Sequence, residues 1–221
     1  MSAATPIIYA TRSGGTTIDQ DARGGNPFAT ALIELSTQAD DNLAGFARRL
    51  RTLTRERSAH HQDPTWTALP ARRKWSLAMP EAAHTECRSA LVLIVSSYCG
   101  LASPRLLGAA HDERRIAAML AQNGFSVRQG VAPDRASQLR ALREFGAEAK
   151  CCDSALIYST GHGVECDGKV YLLPGDYPFE QGYARAVLDR RAVTVERIAQ
   201  ACKATGFNLM FFAGCRLRVD A

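Results

Sequence analysis

The chain lacks most of what would place a protein at a membrane, in a disulfide scaffold or on nucleic acid. None of its 221 residues fall in an apolar run of about 18 or more, which excludes a membrane-spanning helix. Met1 to Pro6 carry no basic stretch followed by an apolar one, so no secretory leader is read there. The seven cysteines (87, 99, 151, 152, 166, 202, 215) are odd in number and irregular in spacing. That argues against a disulfide framework and for a reducing compartment, so a cytoplasmic location is expected. No C-x-x-C pair occurs, and His162 with Cys166 and Cys151-Cys152 fits no common zinc spacing, so no metal is expected. Charge is close to balance, at +5. The arginines at 48, 49, 51, 55 and 57 lie largely off an apolar stripe of Leu43, Phe46, Ala47, Leu50 and Leu53, as on a solvated helix face. No aromatics interleave them as base stacking requires, so neither nucleic acid nor membrane is an expected partner. What remains is one globular domain, with 46% hydrophobic and 22% charged residues.

Two short stretches carry the chemistry. Ala155 to Ser159 is an apolar run that ends in Thr160-Gly161-His162-Gly163. Leu209 to Ala213 is another, and it ends in Gly214-Cys215-Arg216. Short, continuously apolar runs bounded by glycine suit strands buried on both faces of a parallel sheet. A helical pattern over 190–205, with Val195, Ile198, Ala199 and Cys202 on one stripe, supplies a crossover between them. Strand, crossover and parallel strand put both carboxyl ends on one sheet edge, where open α/β sheets bind ligands. His162 and Cys215 should therefore meet. An imidazole beside a thiol favours the thiolate, the form that attacks carbonyls. The amides of Gly163 and Cys215 could serve as oxyanion donors.

The remaining elements are expected as strands at 6–12, 90–96, 125–130, 153–160 and 208–214. Helices are expected near 27–38, 42–57, 109–123 and 134–149. They make a three-layer α/β/α sandwich with a mostly parallel central sheet. Pro70, Pro80 and the basic triplet Arg72-Arg73-Lys74 mark a linker, which Trp66 and Trp75 would pin to the body.

Ala155 to Val164 followed by Tyr171 to Asp176 resembles the histidine segment of bacterial caspase-like and metacaspase-like cysteine peptidases (clan CD), and Ala213 to Arg216 resembles their cysteine segment. Ala90 to Val95, Leu107 to Asp112 and Asn123 to Val127 are similar to their first strand, first helix and second strand. The resemblance implies Cys215 as nucleophile, His162 as general base or acid, and an oxyanion hole of Gly163 and the Cys215 amide. It also implies protein or peptide substrates and no cofactor. An activator, where one is needed, would be a separate protein or calcium, although no calcium loop is present.

The segments stand in an unexpected order. The stretches from Ile7 to Asp19 and from Gly25 to Leu32 resemble the family's segments beyond the cysteine, and Gln62-Asp63-Pro64 resembles a segment near the family's carboxyl end. The expected organisation is a circular permutation: a small-subunit-like half at 1–66, a linker at 67–88 and a large-subunit-like half at 89–221. Such a chain is expected to be competent without cleavage between the halves. By the same resemblance, Asp19, Arg12 and Ala213 are the substrate-binding candidates. Asp19 aligns with an arginine of aspartate-cutting caspases, so the chain is expected to cut after Arg or Lys. Relatives often carry Asp where Ala213 stands, a departure that points to a small residue instead. A catalytically silent interaction module is the alternative reading.

Overall fold

The computed structural model describes residues 5–38, 42–70, 76–78, 86–101, 105–131 and 134–220. Its centre is a six-stranded sheet in the order β2-β1-β9-β5-β3-β4. These strands are β1 (Ile7–Tyr9), β2 (Thr65–Trp66), β3 (Arg88–Ile94), β4 (Ser126–Val131), β5 (Ser154–Thr160) and β9 (Phe207–Phe212). All neighbours run parallel except β1 and β2. The runs that read as apolar throughout do so because alternate residues feed two cores. Leu91, Leu93, Ala155, Ile157, Met210 and Phe212 point to one face. Ala90, Val92, Leu156, Tyr158, Leu209 and Phe211 point to the other.

The second face is covered by α1 (Pro27–Leu35), α2 (Leu43–Arg57) and α3 (Leu107–Gln122), through Phe28, Phe46, Leu50, Ile116 and Leu120. The first is covered by α4 (Arg135–Ala149), α5 (Arg185–Arg191) and α6 (Val195–Ala199), through Leu142, Phe145, Leu188 and Ile198. Local chemistry starts several of these helices. Asn26, with Pro27 behind it, caps α1, Asn42 caps α2, and Asp134 caps α4. Helix α3 is preceded by Leu106, whose side chain makes no capping bond. Its cap comes from far away in the sequence: Asp19 accepts from the Gly108 and Ala109 amides at 2.9 and 3.1 Å.

Two departures from the sequence reading have physical causes. The helix expected over 190–205 is broken. Residues 193–194 are drawn into β8 (Val193–Thr194), which pairs with β7 (Lys169–Leu172), and α6 is the one helix of this stretch that comes after it. The stripe residues Val195, Ile198, Ala199 and Cys202 are nonetheless all buried. A second sheet, in the order β10-β6-β7-β8, adds β6 (Gly163–Cys166) and β10 (Leu217–Arg218), which the sequence reading did not anticipate. The β3–β5 pairing brings Cys87 and Cys152 together across a separation of 65 residues.

Of the expected linker, Trp75, Pro80 and the basic triplet lie outside the described residues. Leu77 is buried, and Trp66 packs on the core from β2. Among the described residues no helix is long and apolar enough to cross a membrane.

Phe211 is fully buried and meets Phe28 and Phe46 edge-on or tilted, with ring centroids 6.2 Å away in each case. Phe211→Ala should lower unfolding stability by about 3–5 kcal/mol. Urea denaturation would show this as a lower midpoint at unchanged slope.

Candidate active site

The pairing of β5 with β9, in register from Ser154↔Phe207 to Ser159↔Phe212, fixes where the two strands stop. One further bond, from the Ala213 amide to the Ser159 carbonyl at 2.8 Å, carries the alignment past the last paired residues. His162 comes after β5 and Cys215 after β9, on the same edge of the sheet. Both line a cavity of about 220 Å3, together with Gly163 and Thr16.

The approach to His162 depends on glycine. Gly161 has φ +148°, a left-handed region that side chains rarely enter. A Cβ there would stand 2.6 Å from the Tyr98 hydroxyl. That hydroxyl accepts the His162 amide at 2.6 Å and donates to the Val95 carbonyl at 3.3 Å. The Tyr98 ring lies against the imidazole, 4.4 Å between centroids, and Phe179 meets it edge-on. Burial among these rings lowers the pKa of His162, and the negative charge of Asp19 opposes the shift. Burial also raises the pKa of Tyr98, so its phenol stays protonated and remains a donor to Val95.

Gly163 begins β6. The Leu173 amide donates to the His162 carbonyl, so Gly163 takes the non-hydrogen-bonded position opposite Leu172. Its own amide is therefore turned away from β7. A side chain on Gly163 would collide with the Cys215 carbonyl, so the two backbones approach as closely as glycine allows.

The sulfur of Cys215 is half-buried and is held by the loop after β1. The Thr17 amide donates to Sγ at 3.2 Å, and the Thr17 hydroxyl lies 3.4 Å away. The rest of that loop is braced in turn. The Ile18 amide donates to Gln62 Oε1 at 3.0 Å, and Asn26 Nδ2 donates to the carbonyls of Ile18 (2.9 Å) and Ala213 (3.4 Å). Beyond Cys215, the Arg216 guanidinium donates to Glu165 Oε2 (3.1 and 2.9 Å) and stacks on Tyr9 at 4.2 Å. Reciprocal backbone bonds of 2.9 Å join Arg216 to Gly14 and Gly15. Cys215 is thus clamped on both sides by residues of the amino-terminal third.

The structure brings His162, Gly163 and Cys215 together, and treats the substrate-binding candidates differently. Ala213 is buried and braced by Asn26. Arg12 is exposed in the loop after β1. Asp19 has both oxygens engaged by α3, the turn-stabilising role that a carboxylate fills at a helix amino terminus. Thr17, Tyr98 and the Arg216–Glu165 pair escaped the sequence reading. Gly14-Gly15 beside Thr16-Thr17 was a signal for a close approach; nothing in the sequence singled out Tyr98. Among the described residues no three His, Cys, Asp or Glu side chains form a cluster able to hold a metal ion.

Residues 87–216, more than half of the chain, match the family model of the caspase domain. The chain belongs to the caspase domain family. Its type of function is accordingly that of a cysteine peptidase, acting on protein substrates. A search of the curated proteins finds no match. The matched segment contains His162 and Gly163 and ends just past Cys215, whereas Thr16 and Leu217, which also line the cavity, lie outside it.

A lowered pKa keeps His162 neutral below the usual pH of about 6.5, so the contribution of the neutral ring to stability is present above that pH and is lost as pH falls through the lower folded value. The imidazole resonances should titrate with a midpoint under about 6.5. Asp19→Asn should move it lower still, because the charge that favours the imidazolium is gone. A midpoint that rises in this variant would contradict the assignment.

Proposed function

We propose that the chain is a cysteine endopeptidase in which Cys215 is the nucleophile and His162 manages the protons. The observation that carries this reading is the single cavity shared by the thiol, the imidazole and Gly163 at adjacent parallel strand ends. A peptide seated there lies between the two groups. The thiol gives its proton to the neutral imidazole, and sulfur attacks the scissile carbonyl. Charge on the resulting oxyanion is met by the amides of Gly163 and Cys215. The imidazolium returns its proton to the departing amine as the carbon–nitrogen bond breaks, which leaves a thioester on Cys215. Water, deprotonated by His162, then hydrolyses the thioester and frees the thiol.

The halves are read as permuted. Strand β1 comes first in the chain yet sits beyond β9 in the sheet, with antiparallel β2 outside it. By the family resemblance, that is the place of the strand after the cysteine strand. Residues 1–66 then supply the small-subunit-like half, 67–88 the linker and 89–221 the rest. Because β1 precedes β9, no peptide of this chain leads directly from Cys215 to β1, and a cut there is not a step in becoming competent. Asp19, as a helix cap whose field reaches His162, would favour a basic residue ahead of the scissile bond by its charge and not through a direct ion pair.

Purified protein, verified as uncut by intact mass, should hydrolyse a pool of peptides. Cys215→Ala should abolish turnover, and His162→Ala should lower it by about 100-fold or more. Turnover that survives Cys215→Ala would remove the nucleophile assignment. Activity that appears only after the chain is nicked would remove the claim of competence without cleavage.

A further inference from the structure

Apart from Thr16 and the reactive residues themselves, the wall of the active-site cavity is apolar, and most of it comes from one stretch of chain. Val164 on β6, Leu173 after β7, Phe179 in the 3-10 turn Phe179–Gln181 and Tyr183 all come after His162 in the chain. Leu101 and Leu217 form the lip, and Leu217 is 49% exposed, one of the large apolar side chains that the fold leaves in water. Among the described residues, no Asp, Glu, Lys or Arg lines the cavity. The aromatic wall is also fixed in advance: Tyr177 stacks on Tyr183 with ring planes 11° apart and meets Phe179 edge-on at 5.3 Å. A second bond, from the Tyr177 hydroxyl to the Gly182 carbonyl at 2.7 Å, closes the turn between them.

Size and polarity narrow the occupant. At about 220 Å3 the cavity is below the roughly 300 Å3 at which small-molecule sites begin. It exceeds the roughly 150 Å3 apolar cavity that accommodates benzene. One large side chain fits. A charged side chain seated against this wall would give up part of its water with no ion partner among the described lining residues, an unfavourable exchange for an unpaired ion. Position selects the end of the substrate. The acyl half becomes attached to Cys215, whereas the departing amine must stand next to the imidazole that protonates it. A wall made of residues that come after His162 and pack around it therefore faces the departing half.

We propose that this cavity is the subsite for the residue immediately after the scissile bond, and that it selects a large apolar side chain such as Leu, Met or Phe. This rests on the peptidase reading above and specifies its substrate class: peptides with an apolar residue opening the released half.

A proteome-derived peptide library digested with the full chain, with cut sites mapped by mass spectrometry, tests the proposal. Synthetic pairs differing only after the bond, with Arg or Leu before it, give the ratios. Leu and Phe should exceed Gly, Asp and Lys by about tenfold or more in kcat/KM, the scale at which an apolar pocket discriminates. Leu217→Asp, a change at an exposed lip whose folding is checked by its melting temperature, should depress cleavage before Leu and raise cleavage before Lys. Equal rates across the series, or a preference untouched by Leu217→Asp, would overturn the subsite while leaving the peptidase intact. The absence of any Cys215-dependent cut would instead overturn the peptidase reading, and the subsite with it.

Discussion

The parallel registration of β5 against β9 is the constraint on which the site depends. Each strand contributes an apolar run that alternates between two cores, so a slip by one residue would turn Tyr158 and Phe211 from one core to the other. The strands are thereby locked along their length, and the residues just past their ends are delivered to a fixed place. Those residues are Gly161-His162-Gly163 on one strand and Gly214-Cys215-Arg216 on the other. Chemistry at the edge is a consequence of packing in the middle.

Locking the strands does not by itself aim the side chains. The imidazole is set by Tyr98, which accepts the His162 amide and lies against the ring, and the sulfur is set by Thr17. Both supports come from loops after other strands: Tyr98 lies beyond β3 and Thr17 beyond β1. The Arg216–Glu165 pair ties β6 to the segment just past Cys215, and the guanidinium also covers Tyr9 of β1. Buried ion pairs of this kind return little net stability but are costly to break singly, so they fix geometry more than they add free energy. Asp19 makes a similar link by capping α3 from the amino-terminal third. The site is therefore assembled from both halves of the chain, which gives the order of those halves its significance.

Much of this was legible in the sequence, for a definite reason. Strands buried on both faces and amphipathic helices write their pattern locally, so β3, β5, β9 and α1 to α4 could be read within a few residues of their observed ends. His162, Gly163 and Cys215 were legible because glycine-flanked reactive residues stood where apolar runs stopped. The small sheet was not, since β6, β7, β8 and β10 are two to four residues long and too short to show a period. The break at residues 193–194 was invisible for the same reason: pairing with β7 overrides a helical pattern that continues through it. Thr17 and Tyr98 act on residues 198 and 64 positions away, and no local pattern encodes such contacts. Asp19, a substrate-binding candidate by resemblance, also has its carboxylate engaged at the start of α3, a contact 89 positions away that no local pattern encodes.

The central claim is that Cys215 is activated by its surroundings, and exposure supplies a control within the same molecule. Cys99 and Cys151 are exposed, whereas Cys215 is only half-exposed and Cys166 and Cys202 are buried. Alkylation with a small reagent at neutral pH, tracked site by site with mass spectrometry, separates access from activation. The account predicts that Cys215 reacts first, ahead of the two more exposed thiols, and falls behind them in His162→Ala. Modification of Cys99 and Cys151 ahead of Cys215 in the wild-type chain would contradict it.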